Sequence, residues 1–264
     1  MGKLLKVYNY LISKLKEEGA LHFTLIDPDP NKVDPIGAAE IAEIAESCGT
    51  SAIMIGGSMG VNESYLDEVV KAIKSKIKIP VILFPGNVTG ISKYADAIWF
   101  MSLLNSSNTY YLIEAQALGA VIIKRYELEA IPLGYIVVEP GEAVGFIGHA
   151  RPVPLSHPEL AIAYGLAAQY LGMKFIYLER GSGAQSPIPP KFVAKVASVI
   201  DLPIIVGGGI RRGEEAKAII EAGASAIVTG SIVEERRDKL REIVKGVKEG
   251  ALKRRGKRIA EIQE

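Results

Sequence analysis

Residues Ile204–Ser231 read IIVGGGIRRGEEAKAIIEAGASAIVTGS. The stretch holds two short apolar runs, Ile204–Val206 and Ala226–Val228, and a glycine-rich turn follows each of them. Between the runs, Glu214–Ala222 places apolar residues three and four positions apart. Continuous apolar runs are typical of strands buried on both faces of a parallel sheet, and the wider spacing is typical of an amphipathic helix. The stretch therefore predicts a strand–helix–strand unit of a parallel sheet.

The same pattern recurs along the chain. Six further apolar runs predict strands at Leu21–Ile26, Ser51–Ile55, Val81–Phe84, Ala97–Met101, Tyr135–Val138 and Phe175–Leu178. Helical spacing predicts helices at Pro35–Cys48, Glu63–Lys76, Thr109–Leu118, Glu159–Leu171, Lys191–Ile200 and Val233–Lys248. This alternation indicates an α/β protein and favours a closed (β/α)₈ TIM barrel over an open sheet. Because a barrel of about 250 residues forms one domain, we expect a single domain over residues 1–264.

Three segments depart from a regular barrel. Gly86–Ala95 is too short and too rich in glycine for an ordinary crossover helix, so we expect the third helix to be missing or degenerate. Lys3–Glu18 predicts an extra amphipathic helix that covers the bottom of the barrel. Glu139–His157 is a long loop rich in glycine and proline. Such a loop is either a tolerated insertion or a substrate lid, and its place after a barrel strand favours the lid.

Composition limits the classes of function. Hydrophobic residues make up 48% of the 264 residues, the formal net charge is +1, and no basic, aromatic-rich motif indicates a nucleic-acid partner. The N-terminus lacks the apolar core of a signal peptide, and no apolar run approaches the ~20 residues of a membrane span. Cys48, the single cysteine, is interpreted as a core residue of a chain without an intramolecular disulfide. We therefore expect a soluble, cytoplasmic protein.

The two glycine-rich turns of the opening stretch predict a ligand. Barrels place their catalytic residues at the carboxyl ends of the strands and often bind phosphate after the seventh and eighth strands, where backbone N–H groups and a helix N-terminus meet the anion. Gly207–Gly209 and Gly230-Ser231 occupy these two places. The alternative is that glycine only supplies tight turns and that Ser231 forms a helix-capping box with Glu234. Two successive turns favour phosphate, but they do not name a reaction.

Asp27 and Asp29 follow the first predicted strand. Carboxylates at the end of a strand suit Mg²⁺, which typically takes one or two of them together with substrate phosphates, and Ser58 could add a hydroxyl. The alternative is that the two Asp-Pro pairs cap turns, which is a frequent use of these residues. The residues alone leave the two interpretations open.

Tyr177 and Glu179 lie two positions apart on the sixth predicted strand, so their side chains share one face. Glu179, at the end of that strand, is a candidate to accept the proton of a substrate hydroxyl or to fix that hydroxyl by a hydrogen bond. Alternatively, Glu179 pairs with Arg180 or Arg211 at the rim.

The three histidines give a weaker signal. His22 begins the first strand and therefore points toward the bottom of the barrel, so we interpret it as structural. His149 and His157 lie in the long loop, and the sequence leaves their roles open.

Five segments together carry a family resemblance. They are HFTLIDPD (His22–Asp29), YIVVEPG (Tyr135–Gly141), YLERGSG (Tyr177–Gly183), GGGIR (Gly207–Arg211) and Thr229–Ser231. In these segments the chain resembles the geranylgeranylglyceryl phosphate synthases of archaea, whose close relatives are the bacterial heptaprenylglyceryl phosphate synthases. The resemblance covers nearly the whole chain. Its first and third segments together are quite specific, whereas the glycine turns alone are not.

The resemblance implies a prenyltransferase that joins geranylgeranyl diphosphate to sn-glycerol 1-phosphate through an ether bond and releases diphosphate. It also implies a barrel without its third helix, Mg²⁺ bound through Asp27 and Ser58, and catalysis by Glu179 and Tyr177. The glycerol phosphate is expected on Tyr177, Leu178, Glu179, Arg180, Gly181, Ser182, Gly183, Gly208, Gly209, Gly230 and Ser231.

Two residues depart from the family pattern. Ser231 stands where asparagine is familiar, and a contact through its backbone N–H would survive that exchange. His157 stands where lysine is familiar, which puts one peripheral contact in doubt.

A prenyl donor needs an apolar groove, which we expect across the barrel top toward the gap left by the missing helix. Trp99, Phe100 and Met101 are candidates to line or close it, although residues of such a strand are more often ordinary core. Other functions stay open: a heptaprenylglyceryl phosphate synthase with a longer donor, a non-catalytic phospholigand-binding barrel, or a phosphosugar isomerase, which would need a small closed pocket. As further partners we expect a second copy of the chain, in a dimer or hexamer, and a transient membrane surface.

Overall fold

The computed structural model describes residues 5–30, 33–57, 62–230 and 237–263. Within these ranges, eight parallel strands pair in chain order and close into a barrel, in which the first strand lies beside the eighth. The strands are β1 (Leu21–Ile26), β2 (Ala52–Gly56), β3 (Val81–Phe84), β4 (Ala97–Leu103), β5 (Glu129–Val137), β6 (Phe175–Glu179), β7 (Ile204–Gly207) and β8 (Ala226–Thr229). The predicted barrel is confirmed.

Helices surround the strands. They are α1 (Lys6–Glu18), α2 (Pro35–Cys48), α3 (Glu63–Lys76), α4 (Ala115–Tyr126), α5 (Glu142–Ile147), α6 (Pro158–Tyr170), α7 (Pro190–Ala197), α8 (Gly213–Glu221) and α9 (Arg237–Gln263). A π-helical turn, Tyr110–Glu114, leads directly into α4. The helix predicted at Thr109–Leu118 is therefore longer than expected and begins with a π-turn.

The largest boundary difference in the sheet concerns β5, which begins at Glu129 rather than at Tyr135. A glutamate and a proline, Pro132, make the first half of this strand unlike a buried one in sequence. Pairing with β4 along the whole length, from Ala97↔Glu129 to Leu103↔Tyr135, outweighs that weak local preference.

Helix α1 closes the amino-terminal end of the barrel, as predicted. The carboxylate of Glu129 accepts hydrogen bonds from the backbone N–H groups of Val7 at 2.9 Å and Tyr8 at 2.8 Å. These donors belong to the first turn of α1, where N–H groups have no partner within the helix. Val7 and Leu11 are buried against the barrel interior with Phe175. Glu129, whose charge makes the start of β5 hard to recognise in the sequence, thus holds α1 in place.

The barrel is weakly joined between β3 and β4. These strands share the register pairs Ile82↔Ala97 and Leu83↔Ile98, whereas β4 pairs with β5 over its whole length. Residues 85–96, all of which are described, contain no helix, which confirms the predicted loss of the third helix. Beyond Ile98, the described part of β4 therefore has an edge without a neighbouring strand. We call this edge the β3–β4 seam.

None of the described helices combines the length and the apolar composition that crossing a bilayer requires.

Candidate active site

A carboxylate and three aromatic rings meet at the carboxyl-terminal end of the barrel, which we call the mouth. Because side chains alternate along a strand, Tyr135 on β5 and Tyr177 and Glu179 on β6 point into the interior. The rings of Tyr135 and Tyr177 lie 5.1 Å apart, and Phe84 at the end of β3 stacks on Tyr177 at 5.5 Å. The Glu179 carboxylate lies among them and is only 7% exposed.

Hydrogen bonds hold the Glu179 carboxylate. It accepts the Gly181 N–H at 2.6 Å and the Tyr135 hydroxyl at 3.1 Å, and the Tyr177 hydroxyl and the Arg180 backbone N–H bond to it as well. Burial raises the pKa of Glu179, and these donors oppose the rise because they stabilise the charged form. The carboxylate is therefore fixed in position and remains a stronger base than an exposed glutamate.

The two tyrosines stay protonated at this site. Burial raises the pKa of Tyr135 and of Tyr177 well above the ordinary value, and the nearby Glu179 charge adds to both shifts. Each phenol therefore keeps its proton and donates a hydrogen bond to the carboxylate rather than competing with it as a base.

Neither arginine considered as an alternative partner pairs with Glu179 in the described structure. Arg180 donates to the backbone carbonyl of Pro187, and Arg211 donates to that of Gln185 at 2.9 Å. The ion pair of Glu179 with Arg180 or Arg211, which was the alternative interpretation of the sequence, is therefore not formed by these side chains.

The triplet Gly207–Gly209 packs directly on this group. A Cβ added at Gly207 would lie 2.0 Å from the Tyr177 hydroxyl, and one at Gly208 would lie 2.8 Å from Oε1 of Glu179. Gly208 and Gly209 also have φ angles of 87° and 73°, a region that other residues rarely adopt. Glycine is therefore required in this turn by packing and by backbone conformation, whatever the turn binds.

The turn after β8 is different. A Cβ at Gly230 would meet its nearest atom, in Leu25, at 3.7 Å, which is an ordinary contact, and the backbone at Gly230 lies outside the left-handed region. Among the described residues, which do not include 231–236, packing does not require a glycine there, and this is consistent with a close approach of a ligand to the backbone. Ser231 and Glu234, and with them the predicted capping box, lie outside the described residues.

The residues at the end of β6 and in the loop after it lie in two different environments. Leu178 is fully buried in the apolar layer between barrel and helices, so its side chain does not reach the mouth. Ser182 is exposed and lines the cavity described next. Gly181 and Gly183 have φ angles of 105° and 87°, which explains both glycines as conformational requirements.

A largely apolar cavity of about 410 Å³ opens at the mouth. Its polar end is formed by Asp27, Glu179 and Ser182, and Phe84 and Tyr135 border it. Tyr177 does not line the cavity, since its ring lies behind Glu179 against Gly207. Geometry thus makes Tyr177 a group that positions the carboxylate.

The cavity crosses the barrel wall at the β3–β4 seam. Trp99 and Met101 belong to the barrel interior, Ile98 and Phe100 belong to the layer between barrel and helices, and all four line the cavity. Neighbouring residues on a strand face opposite sides, so one cavity can touch both faces only where it passes the edge of the strand. The three groove candidates Trp99, Phe100 and Met101 therefore meet in one channel.

Trp99 is both a core residue and a wall of this channel. Its side chain is 1% exposed, and its ring lies 5.2 Å from Phe175 and 6.2 Å from Phe23. The indole Nε1 is buried and has no hydrogen-bond partner among the described residues. The two interpretations of Trp99 from the sequence, as a core residue and as a residue of the groove, are therefore compatible.

Beyond the seam, the channel continues beneath α4. This outer half is lined by Ile91, Ile98, Phe100, Gly119 and Ile123, and Gln116 of α4 also lines the cavity. Because the lining is mostly apolar, the outer half suits a hydrocarbon chain.

The long loop after β5 forms another wall of the channel. It contains the short helix α5, and Val144, Ile147 and Gly148 line the cavity. The Ser106 hydroxyl donates to the Gly148 carbonyl at 2.6 Å, which ties the loop to the segment after β4. The loop therefore borders the cavity, and its role as a substrate lid stays a prediction.

Asp27 lies at the end of β1 and lines the polar end of the cavity. Its carboxylate projects over the backbone of β2, because a Cβ added at Gly56 would lie 1.9 Å from Oδ1 of Asp27. Asp29 donates its backbone N–H to the Asp27 carbonyl at 2.8 Å, so a local turn is present as well. Ser58 lies outside the described residues.

His22 is structural, as predicted. Its ring nitrogens lie 2.8 Å from the Thr50 hydroxyl and 3.0 Å from the Thr229 hydroxyl, and the side chain is buried in the barrel wall. Burial lowers the pKa of His22 to about 3, so the ring stays neutral. His157 contacts Glu159 at 2.7 Å, and both side chains are exposed.

A model of the PcrB family matches residues 12–247 of the chain. The chain belongs to the PcrB family. The geranylgeranylglyceryl phosphate synthase of Pyrococcus abyssi is 54% identical over 94% of this chain and 100% of its own length. The synthase of Thermofilum pendens is 53% identical over 94% of this chain and 98% of its own length.

Solved structures agree with this membership of the PcrB family. The crystal structure of (S)-3-O-geranylgeranylglyceryl phosphate synthase from Thermoplasma acidophilum, in complex with sn-glycerol-1-phosphate, matches with a TM-score of 0.87 and 42% identity. The match covers 94% of this chain and 100% of that one. A thiamine phosphate pyrophosphorylase from Pyrococcus furiosus, at 13% identity and a TM-score of 0.55, shares the fold alone.

Sequence reasoning did not identify several polar residues that line the cavity, among them Asn87, Tyr111 and Gln116. The most important is Tyr135, which both lines the cavity and donates to Glu179. The sequence places Tyr135 at the start of a strand and in a segment of the resemblance but gives it no role in the site. Once β5 and β6 are known to pair as Tyr135↔Tyr177, alternation places both rings in the interior, so the register would have found it.

Proposed function

We propose that the chain is a geranylgeranylglyceryl phosphate synthase, which forms the ether bond between sn-glycerol 1-phosphate and the prenyl group of geranylgeranyl diphosphate. The observation that carries the proposal is a single cavity in which a buried, hydrogen-bonded carboxylate meets a long apolar channel. Relatives that are more than 50% identical to this chain are named geranylgeranylglyceryl phosphate synthases. The related structure from Thermoplasma acidophilum is a complex with sn-glycerol-1-phosphate.

The acceptor occupies the polar end of the cavity. Its phosphate lies on the turns after β7 and β8, on the backbone N–H groups of Gly208, Gly209 and Gly230. This placement is supported by Gly230, for which the described residues give no packing reason for a glycine. The C3 hydroxyl then points to Glu179, whose remaining lone pairs face the cavity.

The reaction follows from the charges at this end. The hydroxyl oxygen of the acceptor forms a bond to the allylic carbon, the diphosphate leaves with the electron pair of the broken carbon–oxygen bond, and the hydroxyl proton passes to Glu179. Positive charge develops on the prenyl carbon as the diphosphate departs. Phe84 and Tyr135 border this point, and aromatic faces attract a cation.

The prenyl tail occupies the channel. From the polar end it passes Trp99 and Met101, crosses the β3–β4 seam and reaches the space beneath α4. The missing third helix has a function in this arrangement, because a helix packed on β3 would cover the opening of the seam.

Mg²⁺ is proposed as the cofactor, with Asp27 and Ser58 as its protein ligands. The fit is supported by the Asp27 carboxylate, a hard oxygen donor that lines the polar end of the cavity. Mg²⁺ typically takes one or two carboxylates together with substrate phosphates, and the diphosphate of the donor would supply such oxygens here. When bound, the ion neutralises the diphosphate oxygens of the donor.

Two other functions fit the cavity less well. A non-catalytic phospholigand-binding barrel would leave the buried Glu179 and the channel without a use. A phosphosugar isomerase needs a small closed pocket, whereas this cavity crosses the barrel wall at the seam.

The test is product formation with purified protein, sn-glycerol 1-phosphate, Mg²⁺ and labelled prenyl diphosphates of several lengths. We expect an ether lipid in the organic extract with geranylgeranyl diphosphate and much less with sn-glycerol 3-phosphate as the acceptor. Absence of product with every donor would contradict the proposal. Product with a heptaprenyl donor alone would favour the related heptaprenyl activity.

A further inference from the structure

Helix α4 has a glycine in its interior, Gly119, on the face toward the barrel. Glycine destabilises a helix relative to alanine, so an interior glycine needs a reason. Backbone conformation is not the reason, because Gly119 lies outside the left-handed region where glycine is favoured.

Packing does not require this glycine either. A Cβ built at Gly119 would meet Cδ1 of Ile91 at 3.4 Å and Cδ1 of Ile123 at 4.0 Å, which are ordinary contacts. At Gly207, in contrast, the added atom would lie 2.0 Å from the Tyr177 hydroxyl. The protein itself thus has room for a side chain at Gly119.

The room at Gly119 belongs to the outer half of the channel. Ile98, Phe100 and Ile123 line the same space on the far side of the β3–β4 seam from Glu179. A tail whose diphosphate is held at the polar end would reach this region with its last carbons.

We infer that Gly119 determines the length of the prenyl tail that the enzyme accepts. The inference rests on the proposed function, because that function identifies the occupant of the channel as a prenyl tail. The absent side chain lets the end of the tail lie against the backbone of α4. Any side chain at this position occupies that space and shortens the channel, while the rest of the site is unchanged.

The variants Gly119→Ala and Gly119→Val test the inference, with Ala120→Val as the matched control. Ala120 is the next residue of α4 and is exposed, so its variant adds the same side chain on the outer face of the same helix. The measurements are kcat/KM with farnesyl, geranylgeranyl and longer diphosphates, and the melting temperature of each protein.

For Gly119→Val we expect kcat/KM with geranylgeranyl diphosphate to fall about tenfold relative to farnesyl diphosphate, which corresponds to about two methylenes losing burial. Gly119→Ala should shift the profile in the same direction by less, with an equal or higher melting temperature, and Ala120→Val should keep the wild-type profile. A wild-type profile in Gly119→Val, or an equal loss with every donor, would overturn the inference. No product from the wild-type enzyme with any donor would overturn the proposed function instead.

Discussion

The β6–β8 side and the β3–β4 side of the barrel mouth differ in kind. On the β6–β8 side, neighbouring strands pair up to the mouth, and the glycine turn after β7 packs on Glu179 and Tyr177. On the β3–β4 side, the strands share two register pairs and part, and an apolar channel passes between them. The comparison indicates a division of roles, in which the regular side holds the anionic acceptor and the irregular side admits the hydrocarbon donor.

The largest effect should come from the polar end. We expect Asp27→Ala to lose nearly all turnover while sn-glycerol 1-phosphate still binds, because Asp27 is assigned to the metal that serves the diphosphate. Turnover over a range of Mg²⁺ concentrations and acceptor binding by calorimetry would separate the two effects. Normal activity of the variant, or full wild-type activity in excess chelator, would count decisively against this assignment.

Glu179→Gln should lower kcat about 10²–10⁴-fold, the usual range for a lost general base. The amide oxygen can still accept the Gly181 N–H, and the Tyr135 hydroxyl can turn to accept a hydrogen bond from the new NH₂ group, so the Michaelis constants should change little. The melting temperature at neutral pH should be unchanged or higher, since an ionised carboxylate no longer has to be buried. A variant with near-normal kcat would remove Glu179 from the mechanism.

The pH dependence of the enzyme provides a related prediction. Because burial raises the pKa of Glu179 in the free enzyme, the acid limb of kcat/KM should lie above the ~4.3 of an exposed glutamate. For a raised acidic pKa, the stability contribution is fully present below the unfolded value and is lost as pH rises through the folded one. Glu179→Gln should therefore lack this part of the pH dependence of stability, and an identical stability profile in both proteins would contradict the shift.

The glycine turns should give an intermediate effect that separates the two substrates. The added methyl of Gly230→Ala meets no close contact among the described residues, so the variant should raise the Michaelis constant of the acceptor while that of the donor stays the same. Gly208→Val should raise the acceptor constant and also lower kcat and stability, because its φ is positive and its Cβ would press on Glu179. If donor affinity alone suffers, the two anion sites are assigned backwards.

How much of this could be predicted from sequence differs between the two sides. The strand–helix units, the glycine turns and the missing third helix follow from local patterns, and all were correctly placed. Tyr135 was missed as a site residue because its role depends on its register against Tyr177, which no local pattern contains. The path of the channel likewise depends on where β3 and β4 part, which is a property of pairing. Gly119 could not be singled out, because a lone helix glycine gives no signal until its surroundings are known.

The smallest effect on turnover should come from Trp99→Ala. The variant should lose ~3–5 kcal/mol of stability, because the ring packs between Phe23 and Phe175. It should also shift donor preference toward longer tails, since the ring is a wall of the channel. Melting temperature and donor profile measured on one preparation would decide, and a destabilised variant with the wild-type preference would show that Trp99 is core alone.

The division of the mouth between two substrates is tested most directly by a crossed measurement of Michaelis constants. Both substrates are varied for the wild-type enzyme, Gly230→Ala on the regular side and Gly119→Val on the irregular side. We predict that Gly230→Ala raises the constant for sn-glycerol 1-phosphate alone and that Gly119→Val raises the constant for geranylgeranyl diphosphate alone. Equal changes in both constants for either variant, or the reverse pattern, would contradict the division.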